Sequence, residues 1–353
     1  MYESILITGG AGFVGSSLAL RLKRELPETQ ITALDNLHRR GSELHLRRLR
    51  AAGIEFVHGD IRSPEDLASL RPGLIIECSA EPSAQAGYSG SPEYLVNTNL
   101  VGCFHCLELA RRVKADFLFL STSRVYPVAR LNGLAFHENE TRFVLSDTQS
   151  TAGASSHGIS EDFPLDGARS LYGMTKLASE LMLTEYADAY GVHCVINRCG
   201  LIAGPWQMGK TDQGVVTLWL AAHYFKRELN YIGYGGTGKQ LRDILHIEDL
   251  CDLLIDQVLH FKKYQGRLFN VGGGLDYSLS LLEMTSICQE ITGHRIRLGS
   301  ITQSRPADLR IYISDHRQLT NFYGWRPRRN PDKVLADIFT WLQSEEPALK
   351  GIL

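Results

Sequence analysis

The stretch SILITGGAGFVGSSLALRLKREL, residues 4–26, decides the fold. SILIT reads as a short buried strand. SSLALRLKREL places apolar residues at helical spacing and reads as an amphipathic helix. Between them stand Gly9, Gly12 and Gly15. Glycines there permit a tight strand-to-helix turn and let the backbone approach a pyrophosphate. The helix start, with Phe13 and Val14, would then receive it. Asp35 follows Gly15 by 20 residues, at the end of a second apolar run, ITALD. A carboxylate there takes ribose hydroxyls and repels a 2′-phosphate, which favours NAD. Arg39 and Arg40 close behind it leave NADP as the lesser alternative.

Further short apolar runs follow: IEFVHGD (54–60), LIIECSA (74–80), ADFLFLS (115–121) and VHCVINR (192–198). Helical patterns lie between the first of them, among them ELHLRRLRAAG, SPEDLASL and a long one from Pro92 to Val113. Strand and helix in alternation at this spacing predict an α/β protein, a Rossmann-type doubly wound parallel sheet. Residues 1–198 and about 239–265 are assigned to the NAD-binding domain. About 199–238 and 266–353 are assigned to a smaller interleaved α/β substrate lobe, with the active site expected between the two.

A net charge of -2 gives no footprint for nucleic acid or a polybasic membrane anchor. No apolar run reaches the ~18 residues of a membrane span. The N-terminus lacks a signal-peptide layout, and seven scattered cysteines do not form a disulfide framework. The expectation is a cytoplasmic protein. Cys103 and Cys106 form a CxxC that reads as two small residues on the buried face of a helix, and no metal site is expected.

SLYGMTK, residues 170–176, sets Tyr172 and Lys176 one helical turn apart on one face. The run FLSTSRVY clusters Ser121, Thr122 and Ser123 at the carboxyl end of the fifth strand, where open α/β sheets bind ligands. Together these groups can run proton chemistry on a hydroxyl. A strand-end hydroxyl binds it, a tyrosinate accepts its proton, and the ammonium lowers the phenol pKa. Asp60, in HGDI with Ile61, is a candidate for the adenine edge.

ITGGAGFVG, DNL, GDI, STSRVY and YGMTK together resemble the extended short-chain dehydrogenase/reductases that act on nucleotide-diphosphate sugars. The resemblance covers nearly the whole chain. It implies Thr122 as catalytic hydroxyl, Tyr172 as base and Lys176 as its partner. It also implies Asn36, Ser79, Ala80, Asn99 and Ser121 as cofactor contacts. TDQGVV (211–216), GTGKQLRDILHIEDL (236–250), FNVGGGLDYSLSLLEM (269–284) and RPADLRIYISD (305–315) resemble a CDP-sugar 2-epimerase subgroup. That implies Arg242 and Arg305 on the diphosphate, as guanidinium chemistry allows. Asp212, Gln213, Asp308 and Arg310 become nucleotide-sugar contact candidates. His246 and Asp249 read as organisers of the turn before a helix.

Dehydrating relatives place an Asp-Glu pair after the catalytic Thr, and decarboxylating relatives a Glu. This chain has Ser123 and Arg124, and an arginine is a poor general base. Epimerisation of a ring hydroxyl is the expected chemistry, at C2 as the subgroup resemblance implies, with a C4 epimerase or a nucleotide-sugar dehydrogenase or ketoreductase as the alternatives. Both residues are also substrate-contact candidates. The chain departs from the family pattern at Cys78-Ser79-Ala80-Glu81-Pro82, where Glu81 is a further substrate candidate, at Val125-Tyr126-Pro127 and at Ala203-Gly204-Pro205. Pro127 to Arg169 shows no clear helix or strand and reads as a mobile lid over the sugar pocket. Tyr126, Trp206 and Tyr234 read as pocket or core aromatics. The resemblance further implies a homodimer through a four-helix bundle and a place in lipopolysaccharide or other surface-glycan synthesis.

Overall fold

A computed structural model describes residues 2–210 and 213–353. They fall into two compact units, each built from separated pieces of chain. Unit 1 takes the chain up to Thr122, then Leu171–Arg198 and Cys251–Leu268. Unit 2 takes Ser123–Ser170, Cys199–Leu250 and Phe269–Leu353.

In unit 1, β1 (Ser4–Thr8), β2 (Gln30–Asp35), β3 (Glu55–His58), β4 (Leu74–Glu77) and β5 (Asp116–Thr122) form the start of a sheet. With β10 (Cys194–Cys199) and β14 (Arg267–Val271) it has seven strands, ordered β14-β10-β5-β4-β1-β2-β3. β1 pairs in parallel with both β2 and β4, and the pairs β2–β3 and β4–β5 are parallel as well. The order reverses between β1 and β4, the switch point where such sheets bind ligands. Helices α1 (Phe13–Glu25), α2 (His45–Ala51), α3 (Pro64–Leu67), α4 (Glu93–Val96), α5 (Gly102–Val113) and α7 (Leu171–Tyr190) fill the connections. The Rossmann-type fold read from the sequence is the fold observed.

Apolar runs rather than alternating patterns make these strands, because both faces are covered. On one face Leu6, Ile75, Phe117 and Phe119 pack against Cys103, Cys106 and Leu107 of α5 and Leu183 of α7. The CxxC is therefore packing: Cys103 and Cys106 are 1% and 0% exposed. The long helix expected from Pro92 to Val113 is interrupted. A π-type turn, Asn97–Val101, joins α4 to α5 and holds Asn99 buried.

Unit 2 centres on β13 (Leu241–His246), which pairs in parallel with β11 (Leu201–Ala203) and β17 (Ile311–Tyr312) and antiparallel with β15 (Ser278–Ser280). β12 (Leu229–Ile232) pairs with β16 (Leu298–Ile301). Helices α8 (Val215–Tyr224), α11 (Leu281–Thr292), α12 (Arg317–Tyr323) and α13 (Pro331–Leu349) complete it. α9 (Ile247–Leu259) starts in unit 2 and runs on into the chain of unit 1, followed by α10 (Phe261–Tyr264). SLSLLE starts α11 with a capping box: Glu283 N donates to Ser280 Oγ and Ser280 N to Glu283 Oε2, both at 3.0 Å.

The segment from Pro127 to Arg169 is not the structureless lid expected from its composition. It contains α6 (Val128–Asn132), a hairpin of β6 (Phe136–Glu138) and β7 (Phe143–Leu145), and a smaller hairpin of β8 (Ala154–Ser155) and β9 (Gly158–Ile159). Anchors replace periodicity. Arg142 donates to Glu283 at 2.7 and 2.5 Å, Phe163 is buried, and Ile159 bridges to Ser314. Strands of two or three residues are too short to leave a hydrophobic period.

Candidate active site

The glycine turn is closed by contacts that admit no side chain. Gly9 has φ +63°, and a Cβ there would lie 2.9 Å from the Cys78 carbonyl and from Ser79 Cα. A Cβ on Gly15 would lie 2.2 Å from the Gly9 carbonyl oxygen. The turn therefore packs against the chain leaving β4, where Ser79 and Ala80 sit. α1 begins at Phe13 after Gly12, whose missing side chain gives its first amides no N-cap bond. Phe13, Val14 and Gly15 thus present a helix N-terminus suited to an anion.

Asp35 ends β2 beside this turn. Its Oδ2 accepts from Ala11 N at 3.1 Å and its Oδ1 from Leu37 N at 2.8 Å. Burial pushes its carboxyl above the usual range, against those two backbone bonds. Asn36 donates to Asp60 Oδ2 at 2.9 Å. Arg62 chelates the same carboxylate, with its closest approach at 2.6 Å. Partial burial opposes the Asp60 charge, but Arg62 and Asn36 hold the carboxyl down at about 2. Ile61 is buried, and its carbonyl oxygen lies 2.8 Å from His105 Nδ1.

Tyr172, Lys176 and Glu180 stand one turn apart on α7, and Lys176 and Glu180 reach the strands. Lys176 Nζ lies 3.2 Å from Glu77 Oε2, at the last residue of β4. Ser121, near the end of β5, donates from Oγ to Glu180 Oε1 at 2.5 Å. Arg198 of β10 donates to Glu180 from Nε at 3.1 and 3.2 Å and from Nη2 at 2.7 Å. Side chains on β4, β5 and β10 thus lock the register of the helix that carries Tyr172. Thr122, 7% exposed, ends β5 directly after Ser121.

Asn99 clamps the loop after β4. It accepts from Glu81 N at 2.8 Å and donates to Glu81 O at 3.1 Å and to Thr175 Oγ1 at 3.3 Å. Its amide is spent on protein partners. Glu81 Oε1 accepts from Ser83 N at 3.3 Å, which turns the carboxylate back onto its own loop.

The remaining candidates lie in unit 2. Arg242 donates to Leu309 O at 2.6 Å and Leu241 O at 2.8 Å, and lies 3.4 Å from Asp308 Oδ1. Burial pushes its guanidinium down, Asp308 acts against that, and the like charge of Arg305 adds to it. Arg124 donates to Ala307 O at 2.9 Å, and Ser123 is buried beside it in sequence. Arg310 lies 4.1 Å from the Phe136 ring centroid and 5.1 Å from that of Tyr234. The loop 305–310 therefore gathers Arg124, Arg242, Arg305 and Arg310. Gln213 N donates to Lys210 O at 3.1 Å, and its Oε1 is buried with no hydrogen-bond partner among the described residues. Asp212 lies outside the described residues. Tyr126 is core: 1% exposed, it donates to Asn270 Oδ1 at 2.8 Å. Tyr234 donates to Asp308 O at 2.8 Å, and Trp206 packs on Trp341. His246 Nδ1 accepts from Glu248 N at 2.9 Å, and Asp249 accepts from Arg328 N and Arg329 N, the turn-organising roles read from the sequence.

Reading the sequence residue by residue missed Glu77, Glu180 and Arg198. Two signals were available: a carboxylate ending the apolar run LIIE, and Glu180 continuing the four-residue spacing of Tyr172 and Lys176.

The model of the NAD dependent epimerase/dehydratase family matches residues 5–272 of this chain. The chain belongs to that family. CDP-paratose 2-epimerase of Salmonella typhi is 30% identical over 350 residues, covering 96% of this chain and 99% of that protein. dTDP-glucose 4,6-dehydratase of an Actinoplanes species is 27% identical over 352 residues, covering 96% and 98%. The UDP-glucose 4-epimerase of Thermus thermophilus, solved with NAD, shares the fold at a TM-score of 0.78 and 22% identity, covering 96% of this chain and 99% of that one.

As a member of this family the protein is an NAD-dependent enzyme, an epimerase. Its residues fit the cofactor. A side chain at Gly9 or Gly15 would fill the turn, Gly12 puts no side-chain cap on the α1 amides, and Asp35 stands at the end of β2. Among the described residues no helix is long and apolar enough to cross a membrane, and no cluster of three His, Cys, Asp or Glu could hold a metal ion.

Proposed function

We propose that this enzyme inverts one ring carbon of a nucleotide-diphosphate sugar, with CDP-paratose as substrate and C2 as the inverted carbon. The observation that carries the reading is the pair Tyr172 and Lys176 on α7, combined with Ser123 and Arg124 after Thr122. A phenol can take a hydroxyl proton and return it. Arg124, already bonded to the Ala307 carbonyl, cannot serve as the base that dehydration needs. The likeness to CDP-paratose 2-epimerase over 96% of the chain supports the choice of sugar and carbon.

Unit 1 holds NAD: Gly9, Gly12, Phe13, Val14 and Gly15 at the pyrophosphate, Asp35 and Asn36 at the ribose, Asp60 and Ile61 at the adenine, with Ser79, Ala80, Asn99 and Ser121 shaping the nicotinamide end. Bound there, NAD supplies the group that accepts hydride and gives it back. Thr122 binds the reacting hydroxyl. Tyr172 takes its proton at the phenol oxygen and returns it after inversion. Lys176 favours the phenolate by its charge. Unit 2 binds the nucleotide sugar through the guanidinium groups of Arg242 and Arg305, with Asp212, Gln213 and Asp308 at the nucleotide and Ser123 and Arg124 at the sugar; Glu81, in the chain of unit 1, is a further sugar contact. Because inversion leaves no net oxidation, NAD stays bound from one turnover to the next.

The enzyme works as a homodimer in the cytoplasm, in assembly of a surface glycan such as lipopolysaccharide. Phe104 on α5 and Leu181 on α7, 41% and 63% exposed, support a helical interface, and seven free cysteines suit a reducing compartment.

Proton NMR tests the reaction. The purified enzyme is given CDP-paratose and, in parallel tubes, UDP-, dTDP- and GDP-hexoses, with no cofactor added. A C2-inverted product from CDP-paratose alone is expected. A C4-inverted product from another tube discards the sugar assignment, and turnover only with stoichiometric NAD(H) discards epimerisation.

A further inference from the structure

We propose that Glu77 is a positioning residue for Lys176: its carboxylate anchors the ammonium at the end of β4 and partly cancels the field that the ammonium exerts on the Tyr172 phenol. The inference rests on the roles given above to Tyr172 and Lys176. Its observations are geometric. β4 is buried along its whole length, and Glu77 is its last residue. The Glu77 and Lys176 side chains are 1% and 3% exposed, with Oε2 and Nζ 3.2 Å apart. A carboxylate buried this deeply persists when a cation and hydrogen bonds compensate it. Burial pushes the Glu77 carboxyl up; the charge and hydrogen bond of Lys176 and the Ser79 backbone amide act against it.

The groups around the pair leave Glu77 as the negative charge set against the ammonium. From α5 come the thiols of Cys103 and Cys106. Burial, with Glu77 adding to it, pushes Cys103 up to about 12 and Cys106 well above the usual thiol range, so both stay neutral. From β5 comes the Phe119 ring, with Lys176 Nζ 4.4 Å from its centroid. From α7 comes Tyr172 itself. Burial works against the Lys176 ammonium, but Glu77 and Tyr172 more than offset it and keep lysine charged.

An ammonium beside a phenol favours the phenolate, and a carboxylate beside the ammonium weakens that effect. An epimerase phenol must release its proton as readily as it takes it. A phenol made too acidic by an uncompensated lysine would be a weaker base for the outward step. Glu77 moderates it.

The test compares wild type with Glu77→Gln, which keeps the shape and a hydrogen-bond acceptor but removes the charge. The acidic limb of the kcat/KM profile is expected to move to lower pH by about one unit, a tenfold change in proton affinity. Ultraviolet difference titration of the tyrosinate band, with Tyr172→Phe subtracted, should show the same shift without turnover. Glu77→Asp, which withdraws the charge by one methylene, should shift both readouts the same way by less, and it decides the matter if the glutamine variant does not fold. A limb that stays in place overturns the proposal, and so does one that moves to higher pH, the result if Glu77 served only to keep Lys176 charged against its burial. If Tyr172→Phe itself keeps its activity, or removes no distinct titrating phenol, the assignment of Tyr172 fails instead.

Discussion

Arg198 grips Glu180 through Nε and Nη2, and both side chains are 4% exposed. Removing one partner leaves a buried charge without compensation, which costs about 3–5 kcal/mol. Arg198→Met should lose stability of that order in urea unfolding. Adding Glu180→Leu should restore most of it, since two apolar side chains tolerate burial. A double variant no more stable than the single one would show that the pair is not the source of the loss.

Tyr172→Phe removes one oxygen from a residue held by the register lock of α7. Turnover should fall by about 10²–10⁴-fold, the usual contribution of a placed acid or base. NAD content on purification should not change. Retained turnover in the NMR assay would contradict the proton-transfer role.

His45 gives a pH dependence of stability. Its Nδ1 lies 2.7 Å from Ser16 Oγ, and the residue is 1% exposed. Burial, with the Arg48 charge adding to it, pushes the imidazole down to about 3. The folded value is below the unfolded value of ~6.5, so the unfolded chain takes up the proton first as pH falls. This contribution is complete above about pH 6.5 and is lost progressively as pH falls toward 3, at up to about 1.4 kcal/mol per pH unit. Between pH 6.5 and 4 the Tm of wild type should therefore fall more steeply than that of His45→Gln. Parallel curves would exclude the histidine as the cause.

Gly15→Ala places a methyl group 2.2 Å from the Gly9 carbonyl oxygen. The turn must open, and NAD carried through purification should drop by about tenfold or more, a loss of ~1.4 kcal/mol of binding or greater. Gly53→Ala is the control. Gly53 has φ +67° with nothing within 4 Å of the added Cβ, so the change should cost about 1 kcal/mol of stability and leave NAD content alone.

Arg305→Met should raise KM for the nucleotide sugar by about tenfold or more, the value of one charge-assisted phosphate contact. kcat should change less. Arg242→Met should raise KM too, but should also lower Tm, because Arg242 ties β13 to the 308–310 loop through backbone carbonyls. An unchanged KM in Arg305→Met would remove that residue from substrate binding.

What the sequence disclosed follows from which interactions are local. β1, the glycine turn, α1 and Asp35 lie within a few dozen residues, and each constraint leaves a mark there: an apolar run, missing side chains, an acid at a fixed distance. Tyr172 and Lys176 are legible because one helical turn fixes their spacing. Glu77 is not, since its partner is 99 residues away and no local period encodes that meeting. Arg198 likewise reads as the polar end of a strand until Glu180 is placed beside it. The hairpins between Pro127 and Arg169 hide for another reason. Their order comes from anchors such as Arg142 on Glu283, not from repeats of their own.

The sheet of unit 1 also has an order in time. β5 is finished at Thr122, but its neighbour β10 begins only at Cys194. A ribosome adding about 5–20 residues per second needs roughly 4–14 s to make the chain between them. Through that interval the edge of Phe117-Leu118-Phe119-Leu120, buried in the finished protein, has no strand to pair with. Such an edge is a template for another chain. The long connection that carries α7 therefore leaves the nascent sheet with one open edge until β10 has been made.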